Sequence, residues 1–510
     1  MLLFLITPAY SDISVEYFGG AGRVSGSCAL LRIDNVSVIV DCGTFYQEDE
    51  LPVDNNLLDD KLIKAKALVL THSHIDHSGR IPYLISKGFN GVIYCTPATK
   101  KIILELYDDG WNFDDVMQRY FWSASKFSNI RNIQKGAVTL HWYEQCKRTI
   151  KNISYADKKT SISFLKNKYK SNFKLCKKCL KRYLNEISSR FKEVRYGENI
   201  KISENINFVL FDAGHIAGSS SIFFNVDSNG KKRRIAFSGD LGSGYSKILK
   251  SKEIIPKADD VFVESTYGGS VGNVTFKDYD RFQKEVAKAV KNKNIVWIPA
   301  LALHRTQKIL YEIKQAQDQG IIPLDVKIFS LSPSANGITD LYEHEISYPS
   351  AQRWFSDEVY EKKTLLPRNY TTKKPKQFPK PSIVISSSGM MDQGTSLYLI
   401  NKLLPFKDTS VFLVSYASPH TPAGYLKKGA KYVKTKYGTT KVMAGVQSFS
   451  IFSDHPGIKE RIRWLSKQDN NTNVYLVHGD RKNLKEAKTF LEKAGFNRVK
   501  IALNGENIIN

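Results

Sequence analysis

The stretch Ala67-Leu-Val-Leu70-Thr71-His72-Ser73-His74-Ile75-Asp76-His77-Ser78-Gly79 decides the reading of this chain. A short apolar run that reads as a buried strand gives way to four candidate metal ligands packed into six residues. Imidazole nitrogen suits a borderline-soft divalent ion, and an aspartate offers a hard oxygen that can reach a second ion. The alternation His72-Ser-His74 lets two imidazoles converge on one ion from a loop after a strand, and Asp76-His77 follow at once. Gly79 then allows a close turn into a helix expected over Arg80 to Lys87. Without a metal, so dense a cluster of buried polar groups carries an uncompensated desolvation cost.

Working outward, other apolar, β-branched runs end in the same way. Ser37-Val-Ile-Val40 precedes Asp41-Cys-Gly, Ile206 to Phe211 precedes Asp212-Ala-Gly-His215, and Arg234-Ile-Ala-Phe237 precedes Ser238-Gly-Asp240. Near the other end of the chain, Asn473-Val-Tyr-Leu-Val477 runs into His478-Gly-Asp480, followed by an amphipathic helix over Asn483 to Ala494. Polar residues gathered where buried strands stop are expected of a layered α/β protein. A second region opens near Gly268. There a helical period over Phe276 to Lys291 and a helix over Arg305 to Gln317 alternate with strands at Ile295–Ile298, Val326–Phe329, Ser382–Ile385 and Val411–Val414. That alternation predicts a doubly wound parallel sheet.

Composition narrows the function classes. No apolar run approaches the ~20 residues of a membrane helix, so a soluble chain is expected. The formal charge of +25 suits a polyanionic partner, although a lysine-rich solvated surface gives the same number. Six cysteines in 510 residues make no disulfide scaffold. Cys28, Cys42 and Cys95 read as free buried thiols, and Cys176-Lys-Lys-Cys179 lacks the second pair a zinc ribbon needs, Cys146 and His141 being poorly spaced. A stretch over about 124–195 is dense in lysine and interleaved with Tyr155, Phe164, Tyr169, Phe173 and Tyr183. It reads either as a nucleic-acid contact or as an amphipathic helical hairpin; helical spacing of the aromatics favours the hairpin. The run Leu2 to Ile6 before Thr-Pro-Ala-Tyr resembles the end of a signal peptide but has no basic segment before it. A cytoplasmic chain is therefore expected, or an exported one if the true start lies upstream.

The ordered set of residues resembles the signature of metallo-β-lactamase-fold hydrolases, His-x-His-x-Asp-His followed by a His, an Asp and a final His at later strand ends. His215, Asp240 and His478 stand at those places. The resemblance implies an αββα sandwich binding two zinc ions, with His72, His74 and His215 around one and Asp76, His77 and His478 around the other. Asp240 bridges them. Asp41 matches an early aspartate that supports the loop and does not bind metal.

Further motifs narrow the resemblance to the β-CASP nucleases, which insert a second α/β domain into that sandwich. They are Gly19-Gly-Ala-Gly-Arg-Val-Ser-Gly-Ser27, Glu264-Ser-Thr-Tyr-Gly268, Ile298-Pro-Ala-Leu-Ala-Leu-His-Arg305-Thr-Gln307 and Ser386-Ser-Ser-Gly-Met390. The group includes the polyadenylation-factor endonuclease and bacterial and archaeal ribonucleases, and the likeness covers nearly all but residues 1–12 and the basic stretch. It implies a metallo-β-lactamase domain over 13–267, a β-CASP domain over 268–445 and a return to the first domain over 446–510. The implied activity is hydrolysis of RNA phosphodiester bonds by a two-metal hydroxide mechanism, leaving 5′-phosphate and 3′-hydroxyl ends. Asp76 and Glu264 are the implied catalytic acids, Arg305 and the turn Ser386, Ser387, Ser388 and Gly389 the implied substrate contacts. His478 matches the RNA-cutting branches, where the DNA-repair branch usually has valine. Single-stranded RNA is the expected partner, and a homodimer is left open.

One departure stands out. The general-acid histidine of the family sits in a Phe-Ser-Ala-His-x-Asp run. A gapless match to Phe449-Ser-Ile-Phe452-Ser-Asp454-His455-Pro-Gly457 puts Phe452 at its place. His455 can serve as the acid only if the loop is reshaped. Two other readings therefore stay open: a metallohydrolase acting on single-stranded DNA or a small phosphodiester, and a weakened nucleic-acid-binding homologue.

Overall fold

The computed structural model describes residues 13–46, 55, 58–108, 184–244, 246–271, 276–344, 366–415 and 417–509. The apolar N-terminal run, Cys146, the Cys176/Cys179 pair and most of the basic stretch lie outside them. Among the described residues no helix is long and apolar enough to cross a membrane.

Two sheets stack face to face. The first runs in the order β1 (Ile13–Gly19), β2 (Cys28–Ile33), β3 (Val36–Val40), β4 (Ala67–Val69), β5 (Val92–Cys95), β6 (Phe191–Glu193), antiparallel through β3 and parallel from there. The second begins with β7 (Ile200–Ser203), β8 (Ile206–Asp212), β9 (Ser220–Ser228), β10 (Lys231–Phe237) and β11 (Asp260–Glu264). The last residues of the stretch expected as an insert are thus part of the first sheet: β6 pairs with β5, and Ile187 and Phe191 are core residues, which their apolar side chains dictate.

Before the second sheet is completed, the chain leaves to build a third. Its strands are β12 (Ile295–Pro299), β13 (Lys327–Ser330), β14 (Tyr370–Thr371), β15 (Ser382–Ser386) and β16 (Thr409–Leu413), then a separate hairpin, β17 (Tyr432–Thr435) and β18 (Gly438–Lys441), and an edge strand, β19 (Gly445–Ser448). All pairings in the order β14-β13-β15-β12-β16-β19 are parallel. The chain then returns as β20 (Asn473–Val477) beside β11 and β21 (Val499–Ile501) at the edge, both parallel. The result is the expected αββα sandwich with an inserted parallel α/β sheet.

Side-chain alternation explains the layers. Ala29 and Leu31 of β2 face the second sheet, whereas Cys28 and Leu30 face the outer helices of the first. In β11, Phe262 points between the sheets while Val261 and Val263 point to the helices Ile458–Trp464 and Arg481–Lys493. The latter helix is capped by Asp480, whose carboxylate accepts from Asn483 N at 2.7 Å, and it buries Leu484, Ala487 and Leu491 at helical spacing. Phe262 stacks between Phe237 (4.8 Å) and Tyr475 (4.9 Å) directly beneath the strand ends that carry the polar loops. Truncating such a side chain to alanine costs ~3–5 kcal/mol. Cys28, Cys42 and Cys95 are free and buried.

In the third sheet, β12 leads to the helix Arg305–Asp318 and across to β13, while its neighbour β15 leads to the helix Gly394–Leu403 and across to β16 in the opposite direction. The two helices pack on opposite faces, Ile309 and Ile313 in one core cluster and Leu399 and Ile400 in another. The two connections cross past each other on opposite faces of the sheet, and at the carboxyl ends of the strands Ala300 N donates to the Ser386 carbonyl (2.9 Å), joining β12 to the Ser386–Gly389 turn.

Candidate metal centre

Each sequence-predicted ligand follows a strand or ends one. The loop after β4 is held by backbone bonds to the β3 loop and the β1–β2 loop: Ser27 N donates to Asp76 O (2.8 Å), Cys42 N to His77 O (2.7 Å) and Thr44 N to Ile75 O (2.9 Å). Gly43 makes this close approach feasible, because a Cβ there would stand 1.6 Å from the Asp76 carbonyl oxygen. Asp41 and His478 both adopt left-handed backbone conformations, φ 59° and 49°, unusual for residues with side chains and concentrated at functional sites.

The ligands converge as two groups, His72, His74, His215 and Asp240, and Asp76, His77 and His478. In the first, His74 Nδ1 lies 3.1 Å from His72 Nε2 and 3.2 Å from His215 Nε2. In the second, His77 Nε2 lies 3.1 Å from His478 Nε2, which is 3.5 Å from Asp76 Oδ2. Asp240 divides its carboxylate. Its Oδ2 is 3.6 Å from both His72 and His215, and its Oδ1 is 3.2 Å from His77.

Ring nitrogens at this separation match the ~3.3 Å edge of a tetrahedron with metal–nitrogen bonds of ~2.0–2.1 Å. Asp240 Oδ1 is also buried without a hydrogen-bond donor, which a cation would remedy. The donor set fits metal binding.

The neighbours of these rings fix their tautomers, as read from the partners. Thr71 Oγ1 donates to Asp41 Oδ2 (2.8 Å) and accepts from His72 Nδ1 (3.0 Å), while His77 Nδ1 donates to Asp41 Oδ2 (2.7 Å). His215 Nδ1 donates to the Asp454 carbonyl (3.1 Å) and His478 Nδ1 to Thr266 Oγ1 (3.0 Å). Every one of these four imidazoles thus turns Nε2 and its lone pair inward. Asp41 is where the sequence put it, behind the ligands. Thr71 and Thr266 were missed, and nothing in sequence separates them from other threonines at strand ends.

Burial, followed by the proximity of other imidazoles, lowers the His72 and His215 pKa, and takes His74 down to about 3. Neutral imidazoles are what metal ligation requires. Burial raises the Asp76 and Asp240 carboxyls, but His478 and His77 outweigh it and hold both below the usual carboxylate range.

Beside this centre stands His455. Its Nδ1 is 3.0 Å from Glu264 Oε1, its Nε2 is 4.0 Å from Asp240 Oδ2, and its ring lies 4.8 Å from that of His215. Burial lowers its pKa, but the charge and hydrogen bond of Glu264 outweigh that and raise it to about 10. Phe452 is elsewhere, fully buried and packed edge-on against Phe282 (4.8 Å) and Tyr279 (5.7 Å). The chain repeats Phe-Ser, at 449–450 and again at 452–453. Counting from the second copy puts His455 in register, a signal the match to the first copy hides.

The implied substrate contacts fare differently. Ser386 Oγ is buried and shared between Trp297 Nε1 and Ser396 Oγ, both at 2.9 Å, so it braces the sheet. Arg305 is also turned inward, donating to the Val414 carbonyl (2.6 Å) and reaching Asp454 (3.5 Å). Ser387 and Ser388 are half-buried in the turn after β15, and Gly389 is buried beside them. Ser387 N donates to Ser332 Oγ (2.6 Å), Ser388 Oγ donates to Asp392 (2.5 Å), and Gly389 lies so close to Ser415 that a Cβ would meet its Oγ at 2.4 Å.

Comparison with family models gives three matches along the chain: the metallo-beta-lactamase superfamily over residues 21–135, the Beta-Casp domain over 306–426, and the Zn-dependent metallo-hydrolase RNA specificity domain over 439–502. The chain is a β-CASP member of the metallo-β-lactamase superfamily. Among its relatives are the transcription termination factor FttA of Methanocaldococcus jannaschii (22% identical, covering 92% of this chain and 67% of that one), and an RNase J-like protein of the same organism (25%, covering 92% and 93%). Ribonuclease TTHA0252 of Thermus thermophilus is 24% identical over 96% of this chain and 98% of its own.

In this β-CASP protein three basic residues of the inserted domain surround the residue before His455. Lys308 Nζ donates to Asp454 Oδ1 at 2.6 Å, Arg305 approaches Oδ2, and His304 Nε2 stands 3.8 Å from Oδ1. Asp454 immediately precedes His455, and its carbonyl orients His215. It occupies the position where the family's Phe-Ser-Ala-His run has alanine.

Proposed function

We propose that this chain is a zinc-dependent ribonuclease, with two ions held by His72, His74, His215 and Asp76, His77, His478 and shared through Asp240. The carrying observation is the divided carboxylate of Asp240, one oxygen toward each imidazole group, with the Glu264–His455 pair alongside. When bound, such ions supply Lewis acidity toward a phosphoryl oxygen and a water acidified to near neutrality.

The chain's own residues supply the rest. Asp41, Thr71 and Thr266 hold the imidazoles in the ligating tautomer. Glu264 accepts from His455 Nδ1 and stabilises the protonated ring, leaving the proton on Nε2 for the departing 3′-oxygen. That assignment yields 5′-phosphate and 3′-hydroxyl ends. Ser387 and Ser388, half-buried at the end of β15, are the candidate contacts for the phosphate backbone. Relatives named as ribonucleases and the match to an RNA specificity domain support RNA as the substrate.

The test offers the purified protein single-stranded RNA and DNA of the same sequence. RNA is expected to be cut and Asp240→Ala to abolish cleavage with the fold retained. Equal cleavage of DNA removes the RNA assignment, and full activity of Asp240→Ala removes the metal reading.

A further inference from the structure

The outer face of the inserted domain carries a surface that catalysis does not use. From Thr409 to Ser453 the chain has six lysines and no aspartate or glutamate. The β17–β18 hairpin turns one side inward, where Val433 and Thr440 pair and are buried. Its other side presents Tyr432 opposite Lys441 and Lys434 opposite Thr439, and its turn carries Lys436 and Tyr437. Tyr432 is 60% exposed and Tyr437 57%.

The helix Gly394–Leu403 continues the same surface. Asn401 Nδ2 donates to the Tyr437 carbonyl (3.5 Å), and Thr440 bonds to Asn401, so helix and hairpin move as one. One turn back is Tyr398, 42% exposed, with Lys374 Nζ 3.8 Å and Lys402 Nζ 5.0 Å from its ring centroid. Lys436 Nζ is 5.4 Å from the Tyr437 ring. This helix begins at the Ser387–Gly389 turn, where Ser396 N donates to the Ser387 carbonyl (2.8 Å). At 1.5 Å per residue, Lys402 stands ~12 Å along its axis from Gly394. The surface therefore starts at the candidate phosphate turn and leads away from it.

We propose that this surface, from Tyr398 to the β17–β18 hairpin, is a sequence-tolerant track for single-stranded RNA running outward from the Ser387–Gly389 turn. The inference rests on the ribonuclease reading and adds where the RNA lies beyond the scissile bond. Exposed aromatic rings flanked by lysines stack on bases while the cations meet the neighbouring phosphates. A protein-binding core is depleted in lysine, and a membrane-binding face carries an apolar stripe. Neither describes alternating tyrosine and lysine with no acidic residue.

The test compares the full-length protein with two surface variants, Tyr398→Ala/Tyr432→Ala/Tyr437→Ala and Lys402→Ala/Lys434→Ala/Lys436→Ala, none of which touches the metal centre. Binding of fluorescent oligouridylate of 5 and 25 nucleotides is read by anisotropy across a salt series, together with cleavage of the short RNA. Both variants are expected to bind the 25-mer about tenfold more weakly and to cleave the 5-mer unchanged. The lysine variant should also lose about 2 from the logarithmic salt slope, at ~0.7 per phosphate contact on single strands. Wild-type protein that binds and cuts RNA while both variants match it on the 25-mer overturns the track alone. Wild-type protein that neither binds nor cuts RNA overturns the ribonuclease reading and the track with it. Loss of binding to phosphatidylserine vesicles without loss of RNA binding reassigns the surface to a membrane.

Discussion

Oε1 of Glu264 lies 3.0 Å from Nδ1 of His455, and the opposite nitrogen of that ring lies 4.0 Å from Oδ2 of Asp240. An imidazole held between a buried carboxylate and the carboxylate shared by the ligand groups is aimed at the place where a leaving oxygen needs its proton. His455→Ala is expected to lower kcat by ~10²–10⁴ with metal content unchanged. Steady-state cleavage of single-stranded RNA and elemental analysis of the same preparation check this. An unaltered kcat hands proton delivery to water.

Phe452→Ala separates the two residues that compete for this role in the sequence. The ring fills a pocket of aromatic edges, so its removal should cost ~3–5 kcal/mol of stability. kcat per folded molecule should stay at the wild-type value. Denaturant melts paired with active-site titration distinguish this from a catalytic loss.

Asp454→Asn tests the link between the inserted domain and the acid loop. Burial raises the Asp454 carboxyl, but Lys308, His304 and Arg305 outweigh it and hold it well below the carboxylate range. A depressed carboxyl contributes stability that is fully present above its unfolded pKa of ~3.9 and is lost as pH falls toward the folded value. As pH falls below ~4 the wild type should therefore lose stability more steeply than the variant. At neutral pH the variant should be less stable by ~3–5 kcal/mol, because Lys308 is left buried beside a neutral amide. Parallel melting slopes across that range count against the pair.

Metal removal should act on stability as well as on activity. Stripping ions from a site that binds the native state at 100 times Kd costs ~2.7 kcal/mol, so a chelator should lower Tm. In Asp76→Ala/His77→Ala, zinc measured per chain should fall from about two to about one and cleavage should vanish, with the far-ultraviolet dichroism of the wild type. Two ions retained in that variant defeat the ligand assignment.

Ser386→Ala distinguishes bracing from substrate contact. The hydroxyl accepts from Trp297 and is paired to Ser396, so its loss leaves buried partners unsatisfied at ~1–3 kcal/mol. KM should not move. A raised KM with unchanged stability returns Ser386 to the substrate.

The clustering of the candidate ligands was legible because their chemistry is carried by residue type and by position after a strand, and both survive in a single chain. The sandwich followed from the same strand ends, and the inserted sheet from alternation of helix and strand. What the sequence hid was direction. Ser386 and Arg305 are polar residues at element ends, and only the packing shows that both point inward. The Lys308–Asp454 pair joins residues 146 apart through burial that no local pattern records. His455 was obscured by a repeated dipeptide, since Phe449-Ser and Phe452-Ser offer two registers three residues apart.

His478 reaches the centre from the last returning strand, and its backbone N–H is tied to the carbonyl of Gly20 at 2.6 Å. The candidate site therefore joins two segments that lie far apart along the chain, the β1–β2 loop and the end of β20. A ribosome adding ~5–20 residues per second needs roughly 10–50 s to travel from Asp240 to His478. Until that interval ends the nascent chain holds His72, His74, His215 and Asp240 but lacks the final candidate ligand, and for most of it His455 is missing as well. A chain that stops before β20 is thus expected to cleave nothing, because its set of candidate ligands is incomplete.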